Sequence, residues 1–239
     1  MQKINNDKKE DATNSLKEFL KKWPKFYYFV FDFFSPVYFG GVSPKKFLKE
    51  FADEGACYNL GSGARRISPD VVNVDVTEYP EVDIVGDITN LPIKDNEASS
   101  VICDQVLEHV IEPDVAVKEI YRVLNPGGYA YISTPYMYPF HASPSDYRRW
   151  THVGYKEILS DFEIVDVGVR CGPFSTITVY LSYLLATMFS FGNEKLYWGL
   201  IYVFGALLFP IKILDIFGNR MPFSVNMAAV LYVVVKKPE

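Results

Sequence analysis

The chain has 239 residues, enough to bury a full core and to form one large domain or a domain with an insertion. A net charge of −5 argues against broad binding to nucleic-acid backbones, so no nucleic-acid partner is expected. Cys57, Cys103 and Cys171 lie far apart in strand-like runs, with no CxxC or Cys/His cluster. That excludes a disulfide framework, leads us to expect no metal, and suits a reducing, cytoplasmic compartment.

The first residues, 1–14, are polar and lack the apolar core of a signal peptide. Lys17, Lys21, Lys22 and Lys25, with Glu18, give a basic, helix-like start. The almost wholly aromatic run Phe26–Phe34 follows it. Residues 1–40 therefore read as a basic, aromatic segment with the character of an anchor lying on a membrane surface. A short amphipathic helix is predicted over 45–54, with Phe47, Leu48 and Phe51 on one side.

From residue 56 strands and helices alternate, which implies a parallel sheet covered by helices. Strands are predicted at 56–60, 71–75, 82–86, 99–104 and 128–133. A helix over about 113–124 is opened by Pro113-Asp114 and closed by Asn125-Pro126-Gly127-Gly128. Two more strands fit at 162–169 and 228–235, as antiparallel edge additions. Residues 171–193 and 196–211 carry no charge and are separated by Asn193-Glu194-Lys195. They read as a hydrophobic helical hairpin inserted between those last strands. The predicted organisation is thus 1–40, a binding domain over 41–170, a hairpin over 171–220 and a last strand within 221–239.

The chemistry concentrates at strand ends. The run Ala56–Leu60 closes on Gly61-Ser62-Gly63, where a ligand can approach bare backbone. Asp75 ends the next run and has the geometry to accept both hydroxyls of a ribose. Asp87 follows Gly86 on the same edge. It reads either as an acceptor for an adenine amino group or as an N-cap for the turn after it. Gln105-Val106-Leu107-Glu108-His109-Val110 follows the fourth strand, where ligands of open α/β sheets bind.

Asn59-Leu60-Gly61-Ser62-Gly63, Asn73-Val74-Asp75, Gly86-Asp87, Leu91-Pro92, Val106–Val110 and Arg122–Gly128 occur in this order. In this the chain resembles class I S-adenosylmethionine-dependent methyltransferases of the type 11 group, over about 56–170. The resemblance implies an α/β, Rossmann-like fold with a mainly parallel seven-stranded sheet, and S-adenosylmethionine as cofactor. It implies that Asn59, Gly61, Ser62, Gly63, Asp75, Val76, Asp87, Ile88 and Gln105 bind that cofactor, with Asp75 on the ribose and Asp87 and Ile88 at the adenine.

The chain departs from that pattern at three places. Asn59 stands where the family usually has an acid, and Arg65 stands where it usually has a third glycine. Only residues 64–70 separate Gly63 from Val71, whereas a parallel crossover normally takes about a dozen residues or more. An irregular link therefore replaces the helix, and the aromatic 26–39 segment is a candidate cover for the face left bare.

Residues 134–151 resemble the Pro…His…Asp-Tyr-x-Arg-aromatic-Thr stretch of methyltransferases associated with surface glycans and lipids. His141 is the preferred base for a hydroxyl acceptor and His109 the second. Asp146 is read as orienting the histidine and Arg149 as holding an anionic substrate group; a purely structural loop network remains the alternative. His152 is assigned to the surface or a helix cap.

The expected reaction is O-methylation of a lipid-like or lipid-linked acceptor at the cytoplasmic membrane face. Ile177–Phe191 and Leu196–Ile211 are each shorter than the roughly 20 apolar residues that span a bilayer comfortably. The hairpin is therefore read as lying in or on a membrane, with a spanning hairpin, a homodimer interface or a cap over a hydrophobic substrate as alternatives. Two further readings stay open, a soluble small-molecule methyltransferase and a non-catalytic S-adenosylmethionine-binding protein.

Overall fold

The structure, a computed structural model, describes residues 41–52, 54–141 and 145–239. The aromatic run at 26–39 and the basic stretch before it lie outside the described residues.

One seven-stranded sheet organises the chain. In chain order its strands are β1 (Ala56–Leu60), β2 (Val71–Asp75), β3 (Ile84–Val85), β4 (Ala98–Asp104), β5 (Leu124–Pro135), β6 (Glu163–Cys171) and β7 (Val230–Lys236). Their spatial order is β3-β2-β1-β4-β5-β7-β6. The first five pair in parallel, and β7 is antiparallel to both β5 and β6.

Only one of the two late strands is the edge addition predicted for both. β7 lies inside the sheet, and β6 forms the edge and runs parallel to β1–β5. The uninterrupted burial of Val230–Val235 shows why: a strand paired on both sides and covered on both faces reads as continuously apolar.

Side chains alternate between two cores, as strand periodicity requires. Leu60, Val74, Val101, Cys103, Ile132 and Val233 face α2 (Pro113–Val123) and α3 (His152–Ile158). On α2 the buried positions Ala116, Val117, Ile120 and Val123 form one stripe at helical spacing. On the opposite face, Cys57, Val71, Ile102, Tyr131 and Val234 gather around Phe47 of α1 (Pro44–Glu50). Phe47 is fully buried against Tyr131 and Phe51.

Asn125-Pro126-Gly127-Gly128 ends α2 as expected, yet it lies inside β5. The pairing with β4 jumps from Ala98–Leu124 to Ser100–Tyr129, so the turn is absorbed as a bulge.

No helix lies between β1 and β2. Arg66 holds this link instead, donating to Glu81 Oε2 (2.9 Å), Glu81 O (2.9 Å), Val71 O (3.0 Å) and both oxygens of Asp83 (2.8 and 3.0 Å). Asn73 adds bonds to Glu81 O and Arg65 O. One guanidinium thus ties the short link to the turn before β3.

After β6 the chain forms the predicted hairpin, α4 (Pro173–Phe189) against α5 (Glu194–Ile213), followed by the short α6 (Asp215–Gly218). Fully buried Asp215 accepts from the backbone of Phe174 (3.0 Å) and Ser175 (2.8 Å). It therefore satisfies orphan donors at the start of α4 from across the hairpin. Because β6 runs with β1–β5, its carboxyl end launches the hairpin from the same edge of the sheet as Gly61, Asp75 and Gln105.

Candidate active site

At the end of β1, Gly61 and Gly63 both adopt left-handed backbone, at φ +64° and +57°. They do so for different reasons. A Cβ on Gly61 would sit 2.5 Å from Val106 Cγ2, so this glycine admits the segment after β4. A Cβ on Gly63 would meet nothing within 4 Å, so the loop is open there to an approaching ligand.

Asp75 sits at the tip of β2 and accepts from Gly63 N (2.8 Å) and Thr77 N (2.8 Å). Each bond uses a different oxygen, which leaves lone pairs on both. Ser62 anchors its backbone to Val74 O at 3.2 Å. Val76 is 70% exposed just beyond the strand tip. Asp87 Oδ1 accepts from the backbone and hydroxyl of Thr89 at 2.8 Å, so the turn-capping reading holds for that oxygen. Ile88 packs against the main core. Gln105, at φ +61°, donates to Ser133 Oγ at 3.3 Å.

Asn59 is placed differently. It is buried in β1, and its amide donates to Asn73 Oδ1 at 3.0 Å. The structure thus joins it to the Asn73–Glu81 network that holds the short link.

The second half of the site forms where two distant loops are laced together. Tyr147 N donates to Glu108 O (2.8 Å), and Arg148 donates to Val110 O (3.0 Å) and Ile111 O (2.8 Å). The lacing brings His109 and His141 edge to face, with ring centroids 5.3 Å apart. Glu108 lies beneath them with its side chain wholly buried, and neither carboxyl oxygen has a hydrogen-bond partner. Its Oε1 is 3.8 Å from His109 Nε2 and 4.0 Å from His141 Nε2.

Burial sets the protonation of this cluster. Loss of water lifts the Glu108 carboxyl to about 8 and pushes the His141 imidazole down to about 4. At neutral pH the carboxyl is thus largely protonated and the imidazole neutral. Asp146 lies below the ordinary carboxylate value: burial pulls it up, but bonds from Arg149 and from the His141 backbone outweigh that. His141 Nδ1 is 3.2 Å from Asp146 Oδ2 without forming a hydrogen bond, and the bond Asp146 does make to this residue is from the His141 backbone N–H, at 3.0 Å.

The role expected of Arg149 needs correction. Both of its terminal nitrogens bind Asp146, and they also reach the carbonyls of Arg148, Tyr138 and Pro139. Those donors are spent inside the loop, so Arg149 positions Asp146 and does not present a free fork to an anion. His152 stands at the first turn of α3, apart from this cluster.

Sequence reasoning passed over Glu108 as a site residue. Its signal was a single carboxylate in the apolar run Val106–Val110 beside a histidine, costly to bury without a purpose. Tyr138, Phe140, Asp146, Tyr147, Arg148 and Arg149 line an open cleft of ≈ 310 Å³ beside the cluster.

Residues 60–132 match a family model described as a methyltransferase domain. A protein of Mycolicibacterium smegmatis named as a probable S-adenosylmethionine-dependent methyltransferase is 43% identical over 58 residues, 24% of this chain and 23% of that one. A demethylmenaquinone methyltransferase of Paenarthrobacter aurescens is 33% identical over 90 residues, 37% of this chain and 32% of that one. These alignments span about a third or less of the curated relatives' length. Among solved structures, a Thermotoga maritima protein titled an S-adenosylmethionine-dependent methyltransferase, possible histamine N-methyltransferase, superposes with a TM-score of 0.57. That match is 15% identical and covers 94% of this chain and 99% of the other.

Proposed function

We propose that this chain, a member of the class I S-adenosylmethionine-dependent methyltransferases, methylates a hydroxyl of a lipid-like or lipid-linked acceptor at the cytoplasmic face of a membrane. The open space over Gly63, beside the Asp75 carboxylate, is a cradle of the kind a nucleoside cofactor needs, so the residues present fit S-adenosylmethionine. Gly61, Ser62 and Gly63 would carry its methionine and ribose portion and Asp75 its ribose hydroxyls. Val76, Asp87 and Ile88 would flank its adenine, and Gln105 would line the end nearest the sulfonium. When bound, it supplies an electrophilic methyl group.

The chain's own work is then alignment and proton removal. Neutral His141, whose backbone N–H is bonded to Asp146, can take the acceptor's hydroxyl proton on a ring nitrogen. The ionised Asp146, 3.2 Å from His141 Nδ1, supplies compensating negative charge as the imidazole becomes cationic. Arg149 holds Asp146 in place.

The observation that carries the acceptor class is the hairpin. It rises from the carboxyl edge of the sheet, directly after Cys171 of β6. Leu184, Met188, Phe191, Val203 and Leu207 expose their apolar side chains, and Phe191 at the hairpin tip is 88% exposed. The 20-residue α5 is also long and apolar enough, by length and composition, to cross a membrane, with only 11% of its apolar window buried. An exposed apolar surface of this kind marks an interaction site, and its place beside the cleft favours an acceptor presented from lipid.

Vesicle flotation of the purified full chain tests this. Flotation with anionic vesicles, and a methyl mass gained by a lipid-extractable acceptor, is expected. A detergent-free dimer that ignores vesicles would instead make the hairpin a protein interface and the acceptor soluble.

A further inference from the structure

We propose that Glu108, His109 and His141 form a binding site for one divalent transition-metal ion, Zn²⁺ fitting best, beside the acceptor cleft. Glu108 Oε1 and one ring nitrogen of each histidine lie within 4.8 Å of one another. Glu108 Oε1 is 3.8 Å from His109 Nε2 and 4.0 Å from His141 Nε2. A tetrahedral site with bonds near 2.0–2.1 Å sets its ligand atoms roughly 3.4 Å apart, so closure draws these atoms together by about half an ångström from Glu108 to each histidine and by up to about 1.4 Å between the histidines.

Two independent features aim this cluster at a cation. The first is Glu108. A fully buried carboxyl with no hydrogen-bond partner on either oxygen is expensive to retain, and a cation would satisfy it. The second is the outer shell. His109 Nδ1 bonds the Ser145 carbonyl, which can only accept, so that nitrogen carries the proton and Nε2 presents its lone pair. His141 Nδ1 lies 3.2 Å from Asp146 Oδ2, itself clamped by Arg149, without a formed hydrogen bond, and its Nε2 is 4.0 Å from Glu108 Oε1. An oxygen bonded to the far nitrogen, as at His109, is the arrangement that orients imidazoles on metals.

Two imidazoles and a carboxylate with further positions open is the donor set of catalytic zinc and of other transition metals. Side-chain exposures of 29% for His141 and 16% for His109 leave the cluster accessible on one side. The role suggested for the ion rests on the methyltransferase reading: it would orient and acidify an acceptor oxygen, and the histidines would then serve as ligands in place of a base. The sequence expectation of no metal rested on cysteine–histidine spacing. These ligands come from two loops that only the fold brings together.

The test is calorimetric titration of the chelator-stripped full chain with Zn²⁺, with Co²⁺ absorption as a spectroscopic readout. One ion per chain is expected, together with cobalt bands of a histidine–carboxylate site. Glu108→Gln, His109→Ala and His141→Ala should each weaken binding at least tenfold, and Asp146→Asn by about tenfold as an outer-shell change. His152→Ala should leave binding unchanged. S-adenosylhomocysteine binding, followed in parallel, confirms that each variant is folded. Absence of saturable Zn²⁺ binding to the wild type, or equal binding by Glu108→Gln and His109→Ala, would overturn the proposal. Ion binding through these residues without S-adenosylhomocysteine binding would uphold the ion site and sink the methyltransferase reading; the converse would sink the ion site alone.

Discussion

Gly61 and Gly63 share a backbone conformation but not an environment, so the same substitution should separate them. At either position alanine in left-handed backbone costs about 1–2 kcal/mol. The loss of unfolded-state freedom returns about 0.4–1 kcal/mol. At Gly61 the new Cβ also meets Val106 Cγ2 at 2.5 Å and Cγ1 at 2.8 Å, beneath any real contact distance. Overpacking of this kind adds about 1–3 kcal/mol. Gly61→Ala should therefore destabilise by about 2–4 kcal/mol net, lowering the melting temperature by about 4–15 °C for a chain of this size. Gly63→Ala should cost no more than about 1–1.5 kcal/mol. Its Cβ enters the open space over the loop, so S-adenosylhomocysteine affinity should fall at least tenfold. Differential scanning calorimetry and ligand titration read the two effects separately. The double variant Gly61→Ala/Val106→Ala should show about 1 kcal/mol or more of favourable coupling. Equal destabilisation by the two alanines, or an additive cycle, would refute the assignment of Val106 as the group that Gly61 admits.

Other outcomes follow from the same structure. Glu108, lifted by burial to about 8 from 4.5, is protonated more tightly in the folded chain. Its contribution is complete below about pH 4.5 and is lost as pH rises towards 8. His141, pushed down to about 4 from 6.5, acts oppositely and loses stability as pH falls below 6.5. In chelator-treated buffer the wild type should therefore lose about 1 kcal/mol between pH 6.5 and 8, while Glu108→Gln shows no loss; parallel denaturation curves would contradict this. Arg66→Met should raise hydrogen exchange across 65–83 and lower the melting temperature. Arg66→Lys should not restore it, because an ammonium cannot reproduce the guanidinium fork on Asp83 and Glu81. Asp215→Ala leaves the Phe174 and Ser175 amides without their acceptor and should cost about 1–3 kcal/mol by urea unfolding; an unchanged midpoint would remove Asp215 from that capping role.

The nucleoside edge was legible in the sequence because its signals are local. A glycine turn after an apolar run and acids at strand tips need only adjacent residues, and the five parallel strands announced themselves the same way. What escaped depends on distant pairing. The interior place of β7 is set by its two partners, β5 and β6, and nothing within Val230–Lys236 says whether one or two neighbours exist. Asn125–Gly128 gave a correct helix stop, yet its absorption as a bulge depends on the register with β4. Attention fell on Arg65, at a motif position, while its neighbour Arg66 holds the shortened link through Asp83 and Glu81, residues beyond the next strand. Glu108 sits in the run Val106–Val110, where only its neighbour His109 was singled out. Only the folding of the 145–149 segment over it shows that both histidines converge on a buried, unpartnered carboxyl.

The central claim is that this chain binds S-adenosylmethionine over the Gly61–Gly63 turn and Asp75. Isothermal titration with S-adenosylhomocysteine measures it most directly. Because Asp75 accepts from Gly63 and Thr77 and faces the cradle, the wild type should bind one equivalent, and Asp75→Ala should lose most of that affinity while remaining folded. No binding by the wild type, or unchanged affinity in Asp75→Ala, would contradict it.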